Sequence, residues 1–167
     1  MVKLILIGFM GSGKTTVSQL LGQQLNEQVL DLDREIERQS HQTIPQIFAQ
    51  SGEQGFRQLE HDVLKQSMDF EGILATGGGT PLREDNLQLL RHAGVPVILL
   101  AASPEETHRR LQQQNNRPLG NKLDVDGIRQ LQHERQPFYD RCADLRIVTD
   151  HLTPTEIAQQ IVKYLQK

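Results

Sequence analysis

The glycine-rich segment Gly8–Thr15 constrains this 167-residue chain more than any other feature. Its letters, GFMGSGKT, match the pattern G-x-x-x-x-G-K-[ST] of a phosphate-binding P-loop. The apolar run Val2–Ile7 before it and the amphipathic stretch Thr15–Leu25 after it predict a strand and then a helix, the context that the motif requires. Backbone N–H groups in such a loop point at phosphate oxygens, and the helix adds its positive N-terminal end. The chain is therefore predicted to bind the phosphates of a nucleoside triphosphate.

Individual residues of the loop have predicted roles. Lys14 is expected to reach the β- and γ-phosphates, and the Thr15 hydroxyl is expected to ligate Mg²⁺ directly. A nucleoside triphosphate is the expected co-substrate and Mg²⁺ the expected metal. The predicted nucleotide-binding residues of this segment are Gly11, Ser12, Gly13, Lys14, Thr15 and Thr16.

Apolar segments alternate with helical ones along the chain, which favours an α/β fold with a parallel sheet covered by helices on both faces. No repeat or Pro/Gly-rich linker divides the sequence, so residues 1–167 are predicted to form one domain. The apolar run at the N-terminus is far below transmembrane length and is interpreted as a buried strand. The predicted strands are Val2–Ile7, Gln28–Leu32, Gly72–Thr76, Val95–Ala101 and Leu145–Thr149.

The amino-acid composition limits which binding partners and which cellular compartment are expected for the protein. A net charge of −3, 4% aromatic residues and no tryptophan give no basis for a nucleic-acid or membrane partner. Cys142 is the only cysteine, so no disulfide can form within the chain, and a cytoplasmic location is expected. Cys142 itself is interpreted as a small packing residue. The histidines are scattered without metal-ligand spacing.

The positions of the carboxylates favour a kinase over a molecular switch. A motor or GTPase usually carries a metal-binding Asp after a later apolar strand, but neither Ile73–Thr76 nor Val97–Leu100 ends in one. Asp31 and Asp33 instead close the second predicted strand. Residues two apart on a strand face the same side, so both carboxylates could enter one cleft, one ordering magnesium waters and the other accepting a proton from a hydroxyl. Alone, such a pair is more often a solvated turn.

Three further features suggest an anionic acceptor. Arg57 and Glu60 are three apart on a predicted helix and can pair, which would fix the direction of Arg57. Gly77–Gly79 follow a buried strand at the end where ligands bind in open α/β sheets. Arg135, in a helical stretch predicted to stop at Pro137, supplies a cation for a carboxylate. Taken singly, these could be a surface ion pair, a tight turn and a surface arginine.

The segment Gln112–Lys122 is polar, contains Arg117-Pro118 and Gly120, and lacks a helical apolar period. It is a candidate mobile lid, about residues 112–124, whose cations could close on phosphates. An ordinary surface loop explains the composition equally well.

Taken together, these residues resemble the shikimate kinase family over nearly the whole chain. The order and spacing of the matching pieces make coincidence implausible. The pieces are GFMGSGKTT, DLDREIE at 31–37, IPQIF and GEQGFRQLE within 44–60, ATGGGTPLRE at 75–84, RP at 117–118 and ERQPFYDRCAD at 134–144.

The resemblance implies ATP-dependent phosphorylation of the 3-hydroxyl of shikimate, giving shikimate 3-phosphate and ADP on the route to chorismate. It also implies a P-loop kinase fold like that of nucleoside monophosphate kinases, with a five-stranded parallel sheet flanked by helices on both sides. A segment at about 33–61 would bind the acceptor.

The same resemblance assigns roles to single residues. Asp33 would contact the acceptor hydroxyls, with Asp31 meeting the metal through water. Arg57, Arg135 and the backbone of Gly77, Gly78 and Gly79 would contact the carboxylate side. Arg117 would swing from the lid onto the ATP phosphates, and Arg110 and Pro154 would flank the adenine ring. The catalytic residues would be Asp33, Lys14 and Arg117.

Two alternatives stay open at this point. One is a related small-molecule kinase acting on gluconate or a nucleotide, which need not hold a rigid carboxylate between Arg57 and Arg135. The other is a catalytically silent nucleotide-binding regulator, which loss of Asp33 or Lys14 would have favoured, although both are present. No long exposed apolar stripe indicates an obligate dimer, so a monomer is expected.

Overall fold

A computed structural model describes residues 1–114 and 123–167. Within these residues the chain forms five β-strands, seven α-helices and a short 3-10 helix at Thr80–Leu82. The strands are β1 Val2–Ile7, β2 Val29–Asp31, β3 Gly72–Ala75, β4 Val97–Ala101 and β5 Leu145–Val148. The helices are α1 Lys14–Leu25, α2 Leu32–Ser40, α3 Ile44–Ser67, α4 Glu84–Arg91, α5 Pro104–Gln112, α6 Val125–Cys142 and α7 Pro154–Leu165.

The five strands pair in parallel in the order β2-β3-β1-β4-β5. Strand β1 is therefore central, and its Ile5 lies opposite both Leu74 of β3 and Val97 of β4. The predicted five-stranded parallel sheet is confirmed. This order also brings the segments after β2, β3 and β1 side by side at the carboxyl edge, where open α/β sheets bind ligands.

Both faces of the sheet are covered by helices, as the continuous apolar strands predict. In β1, Leu4 and Leu6 point into one buried layer, while Ile5 and Ile7 point into the other. The first layer packs α1 and α7 on the sheet, with Val17, Leu21, Ile157 and Ile161 as buried members. The second layer packs α2, α3, α4 and α6, with Ile36, Val63, Leu87 and Tyr139 among its buried members. The core thus fixes the loops at the carboxyl edge from both sides.

The second strand is shorter than the predicted Gln28–Leu32, and this changes the geometry of the two aspartates. Strand β2 ends at Asp31, whose side chain caps α2 by accepting a hydrogen bond from the Arg34 amide at 3.2 Å. Asp33 lies in the first turn of α2, so the expectation that strand alternation aligns Asp31 with Asp33 is wrong. An N-cap aspartate starts a helix where the sequence pattern alone indicated an extended strand.

The prediction that Pro137 stops a helix is also wrong. Helix α6 runs for 18 residues from Val125 to Cys142, with Pro137 inside it. A proline costs the helix one backbone hydrogen bond. Burial of Tyr139 and Cys142, 3% and 5% exposed, holds the turns after the proline in helical form. Tertiary packing therefore outweighs the local penalty.

Side chains cap the starts of α5 and α7, since Ser103 accepts from the Glu106 amide and Thr153 forms a capping box with Glu156. Cys142 is a packing residue, and burial raises the pKa of its thiol to about 11. In the part of the chain that the structure describes, no helix has the length and apolarity needed to cross a bilayer.

Candidate active site

The P-loop connects β1 to α1. Gly13 caps α1 at φ 93°, in the left-handed region where a side chain is strained. The Lys14 side chain is only 7% exposed, and its ammonium donates to the carbonyls of Gly8 at 2.7 Å and Phe9 at 3.0 Å. The cation is thus held over the loop that is predicted to bind phosphates.

A magnesium site is supported by the contact between α1 and the end of β2. The Thr15 hydroxyl donates to Asp31 Oδ2 at 3.0 Å, so the two residues predicted to hold the metal meet. Hydroxyl and carboxylate oxygens are donors that Mg²⁺ prefers, and it usually keeps several waters and substrate phosphate oxygens rather than an all-protein cage. Among the described residues, no cluster of three or more His, Cys, Asp or Glu side chains is suited to a metal. The donor set fits Mg²⁺.

The structure distinguishes Arg110 from its neighbour Arg109. Arg110 Nη1 donates to the Gly11 carbonyl at 3.3 Å and to Thr149 Oγ1 at 3.2 Å, and Glu106 holds its Nε at 2.9 Å. Arg109 also pairs with Glu106 but has 59% of its side chain exposed. Arg110 therefore lies against the P-loop.

The Glu106 carboxylate is expected to stabilise the fold at neutral pH and to lose this effect in acid. Its hydrogen bond from Arg109, with help from Arg110, holds the pKa of the Glu106 carboxyl at about 2 instead of 4.5. A lowered folded-state pKa stabilises the protein above pH 4.5, and this contribution is lost as the pH falls toward 2. We expect Glu106→Gln to be less stable than the parent at pH 6 and nearly equal to it near pH 2. Urea-unfolding midpoints across this range measure the difference.

The matched control is Glu105→Gln, because Glu105 is 63% exposed and its ion pair with Arg129 is at the surface. Exposed pairs contribute little to stability. A Glu106→Gln difference that stays constant from pH 6 to pH 2 would contradict the assignment.

On the acceptor side, Arg57 and Glu60 form the predicted pair, but it is not a surface one. Arg57 Nη1 donates to Glu60 Oε1 at 2.9 Å, and Glu60 is 1% exposed. The second carboxylate oxygen of Glu60 accepts from Thr80 Oγ1 at 3.0 Å. A buried carboxylate with both oxygens satisfied fixes the direction of the arginine.

Three side chains predicted to bind the acceptor each meet one of the three consecutive glycines after β3. A Cβ on Gly77 would lie 2.8 Å from Asp33 Oδ1, and one on Gly78 would lie 3.6 Å from Arg135 Nη1. A Cβ on Gly79 would lie 2.7 Å from Arg57 Nη1. Asp33, Arg57 and Arg135 thus come from three different helices and converge on bare backbone, which explains why side chains are missing there.

Gly79→Ala is expected to lower kcat/KM for the acceptor roughly 10- to 100-fold, because its Cβ would displace the Arg57 guanidinium. Nucleotide affinity should stay unchanged. The matched control is Gly127→Ala at the start of α6, where the new Cβ would meet only side-chain atoms 3.1 Å away. Steady-state kinetics with both substrates varied measures the effect; equal kcat/KM in Gly79→Ala and parent would contradict it.

Arg135 is the most unusual charged residue of the site. It is 6% exposed, and its Nε and Nη1 have no hydrogen-bond partner among the described residues. Burying unpaired charged donors is costly, so such a group is expected where a ligand supplies the acceptors. The surface alternative for Arg135 is wrong. Its donors suit a carboxylate or phosphate.

Tyr139 and Thr80 are site residues that the sequence did not single out. The Tyr139 hydroxyl donates to the Gly78 carbonyl at 2.6 Å, which fixes the orientation of the adjoining peptide. Burial raises the pKa of Tyr139 to about 12, so the phenol is a protonated donor at neutral pH. The available signal was the spacing of one helical turn between Arg135 and Tyr139 on α6. For Thr80, which directly follows the glycines, no comparable signal existed.

Arg117 and most of the candidate lid, residues 115–122, lie outside the described residues. Gln112 itself ends α5. Pro154, the other predicted adenine neighbour, is the first residue of α7. The lid and the adenine contacts stay predictions.

The fold and the site together define a P-loop kinase acting on a small anionic acceptor. A family model described as shikimate kinase matches residues 10–166. The chain is 56% identical to a shikimate kinase of Limosilactobacillus fermentum over 99% of this chain and 96% of that protein. It is 42% identical to a shikimate kinase of Caldicellulosiruptor saccharolyticus over 97% of this chain and 94% of that protein.

Among solved structures, the fold is similar to that of shikimate kinase from Acinetobacter baumannii in complex with shikimate. The TM-score is 0.92 at 35% identity, covering 98% of this chain and 92% of that one. The chain belongs to the shikimate kinase family, whose activity is the ATP-dependent phosphorylation of shikimate.

Proposed function

We propose that this site transfers the γ-phosphoryl group of ATP in line to the 3-hydroxyl of shikimate, giving shikimate 3-phosphate and ADP. The observation that carries the proposal is the meeting of Asp33, Arg57 and Arg135 at the bare backbone of Gly77–Gly79. A hydroxylated ring with one carboxylate suits this arrangement, because two arginines can bind the carboxylate while Asp33 faces a hydroxyl.

In the transfer, a bond forms between the acceptor O3 and the γ-phosphorus as the bond from that phosphorus to the β–γ bridging oxygen breaks. The bridging oxygen leaves on ADP, and the hydroxyl proton passes to Asp33. Phosphoryl transfer depends mainly on positioning and charge neutralisation. Lys14 neutralises the β- and γ-phosphates, with Arg117 as the second cation.

Mg²⁺ would be held by the Thr15 hydroxyl and, through water, by Asp31. When bound, it neutralises negative charge on the β- and γ-phosphate oxygens. The contact between these two residues supports the assignment.

Further assignments rest on the same proposal. Residues 33–61 form the acceptor-binding segment and residues 112–124 the lid, in a single domain spanning 1–167. Arg110 and Pro154 flank the adenine, and Gly11–Thr16 bind the phosphates. The protein acts as a cytoplasmic monomer on small molecules, without nucleic acid or membrane.

A coupled assay of ADP release with shikimate, gluconate and nucleoside monophosphates tests the function. We expect turnover with shikimate to exceed that with every other acceptor. Faster turnover with gluconate or a nucleotide would indicate the related kinase instead. ATP binding without turnover on any acceptor would indicate a silent regulator.

A further inference from the structure

Phe9, the second residue of the P-loop, contacts both halves of the site. Its side chain is 4% exposed, and the guanidinium carbon of Arg135 lies 5.2 Å from the centre of its ring. Its carbonyl accepts from the Lys14 ammonium at 3.0 Å. One residue therefore touches a predicted phosphate-binding cation through its backbone and a predicted acceptor-binding cation through its ring.

The ring contact has a chemical consequence for Arg135. An aromatic face attracts a guanidinium without using any of its N–H groups as hydrogen-bond donors. A carboxylate partner would occupy those donors. Phe9 thus holds the arginine while Nε and Nη1 keep no partner among the described residues, which leaves both donors for the anion of the acceptor.

The backbone contact of Phe9 involves a cation that a bound nucleotide would also engage. Lys14 donates to the Gly8 and Phe9 carbonyls in this structure, and a triphosphate competes with them for the three donors of the ammonium. A change in that hydrogen bonding alters the restraint on the Phe9 peptide. Phe9 also packs with Met10, Leu111 and Ile128, so a shift of its backbone moves a packed side chain.

The P-loop backbone at Phe9 and Met10 lies close to Gly78. A Cβ on Gly78 would lie 2.9 Å from the Met10 amide nitrogen and 3.5 Å from the Phe9 carbonyl carbon. The Gly78 carbonyl is in turn held by Tyr139, one helical turn after Arg135. The P-loop, the glycines and α6 are therefore in direct contact.

We propose that Phe9 is a positioning residue that couples phosphate occupancy of the P-loop to acceptor affinity through its ring contact with Arg135. The inference rests on the proposed function, since it takes Arg135 as the site of the acceptor carboxylate. By linkage, the factor by which nucleotide tightens acceptor binding equals the factor by which acceptor tightens nucleotide binding.

The test is calorimetric titration of shikimate with and without AMP-PNP and Mg²⁺, in the parent, Phe9→Leu and Phe9→Tyr. The coupling factor is the ratio of the two shikimate Kd values. We expect the nucleotide to tighten shikimate binding at least about fivefold in the parent. In Phe9→Leu the factor should approach one, with an unchanged Kd for AMP-PNP alone. In the presence of nucleotide, the shikimate Kd of Phe9→Leu should be roughly 5- to 30-fold higher than that of the parent, which is the range of a desolvated cation–π contact.

Phe9→Tyr keeps the aromatic face and should retain the coupling. Phe9 borders a cavity of about 250 Å³ together with Gln132, Gln136 and Tyr139. Tyr164→Leu removes a ring from the buried layer on the other face of the sheet from Tyr139, and it is the matched control. If Phe9→Leu does not fold, Phe9→Met provides the same comparison, since methionine fills irregular gaps without an aromatic face.

Three results would overturn the inference: no coupling in the parent, full coupling in Phe9→Leu, or an equal loss of shikimate affinity with and without nucleotide. The last would mean that Phe9 only shapes the acceptor pocket. A parent protein that does not bind shikimate at all would instead contradict the proposed function.

Discussion

Asp33→Asn is expected to lower kcat roughly 10²- to 10⁴-fold, the range for loss of a positioned general base. The substitution keeps the size and most of the hydrogen-bonding capacity of the side chain but removes its ability to take the hydroxyl proton. Asp33 Oδ1 lies beside Gly77 on the acceptor side of the site, so the main effect is expected on turnover of bound shikimate. Single-turnover and steady-state assays with saturating shikimate measure kcat.

The matched control is Asp62→Asn on the exposed surface of α3, where the carboxylate only accepts from Gln58 at 3.1 Å. It should leave kcat and stability unaltered. An Asp33→Asn enzyme that turns over at the parent rate would remove Asp33 from the mechanism and leave the transfer to positioning alone.

Arg135→Met is expected to weaken shikimate binding while keeping or raising the stability of the free protein. The KM for shikimate should rise roughly 30-fold or more, since truncating one partner of a buried charged contact costs about 2–5 kcal/mol of binding. The free protein should keep or gain stability, because the substitution removes two buried donors that have no partner among the described residues. Thermal unfolding without ligands and kinetics with varied shikimate measure the two effects.

Arg91→Met is the control for Arg135→Met, because Arg91 is exposed in the last turn of α4. It should change neither KM nor Tm appreciably. A large loss of stability in Arg135→Met would show that Arg135 is a structural residue whose charge is satisfied inside the protein. That result would place the acceptor carboxylate elsewhere.

These two residues also illustrate what a sequence pattern can predict. Arg135 was a plausible cation from its family motif, but its burial depends on Phe9 and Gly78, which are far away in the sequence. Strand alternation predicts a cleft position for Asp33, but Asp33 lies in a helix. The cleft location is supported by its contact with Gly77, yet it is reached from a helical turn and not from strand alternation.

The P-loop and the fold class were predictable because their signals are local or periodic. Gly13 needs a positive φ whatever surrounds it, and continuous apolar runs mark strands that are buried on both faces. The number of strands in the sheet and the substrate were predicted from the family motifs. The order of these motifs along the chain carries information that no single motif has.

The phosphate-binding loop, the parallel sheet and the family thus follow from the order of the amino acids alone. Three other features appear only in the assembled fold: Glu60 is buried between Arg57 and Thr80, Arg110 and not Arg109 lies on the P-loop, and α6 continues through Pro137. The two groups of features differ in how far apart in the sequence the interacting residues are. A motif fixes the conformation of neighbouring residues, whereas burial, and with it the state of a charged side chain, depends on segments that meet only when the sheet assembles.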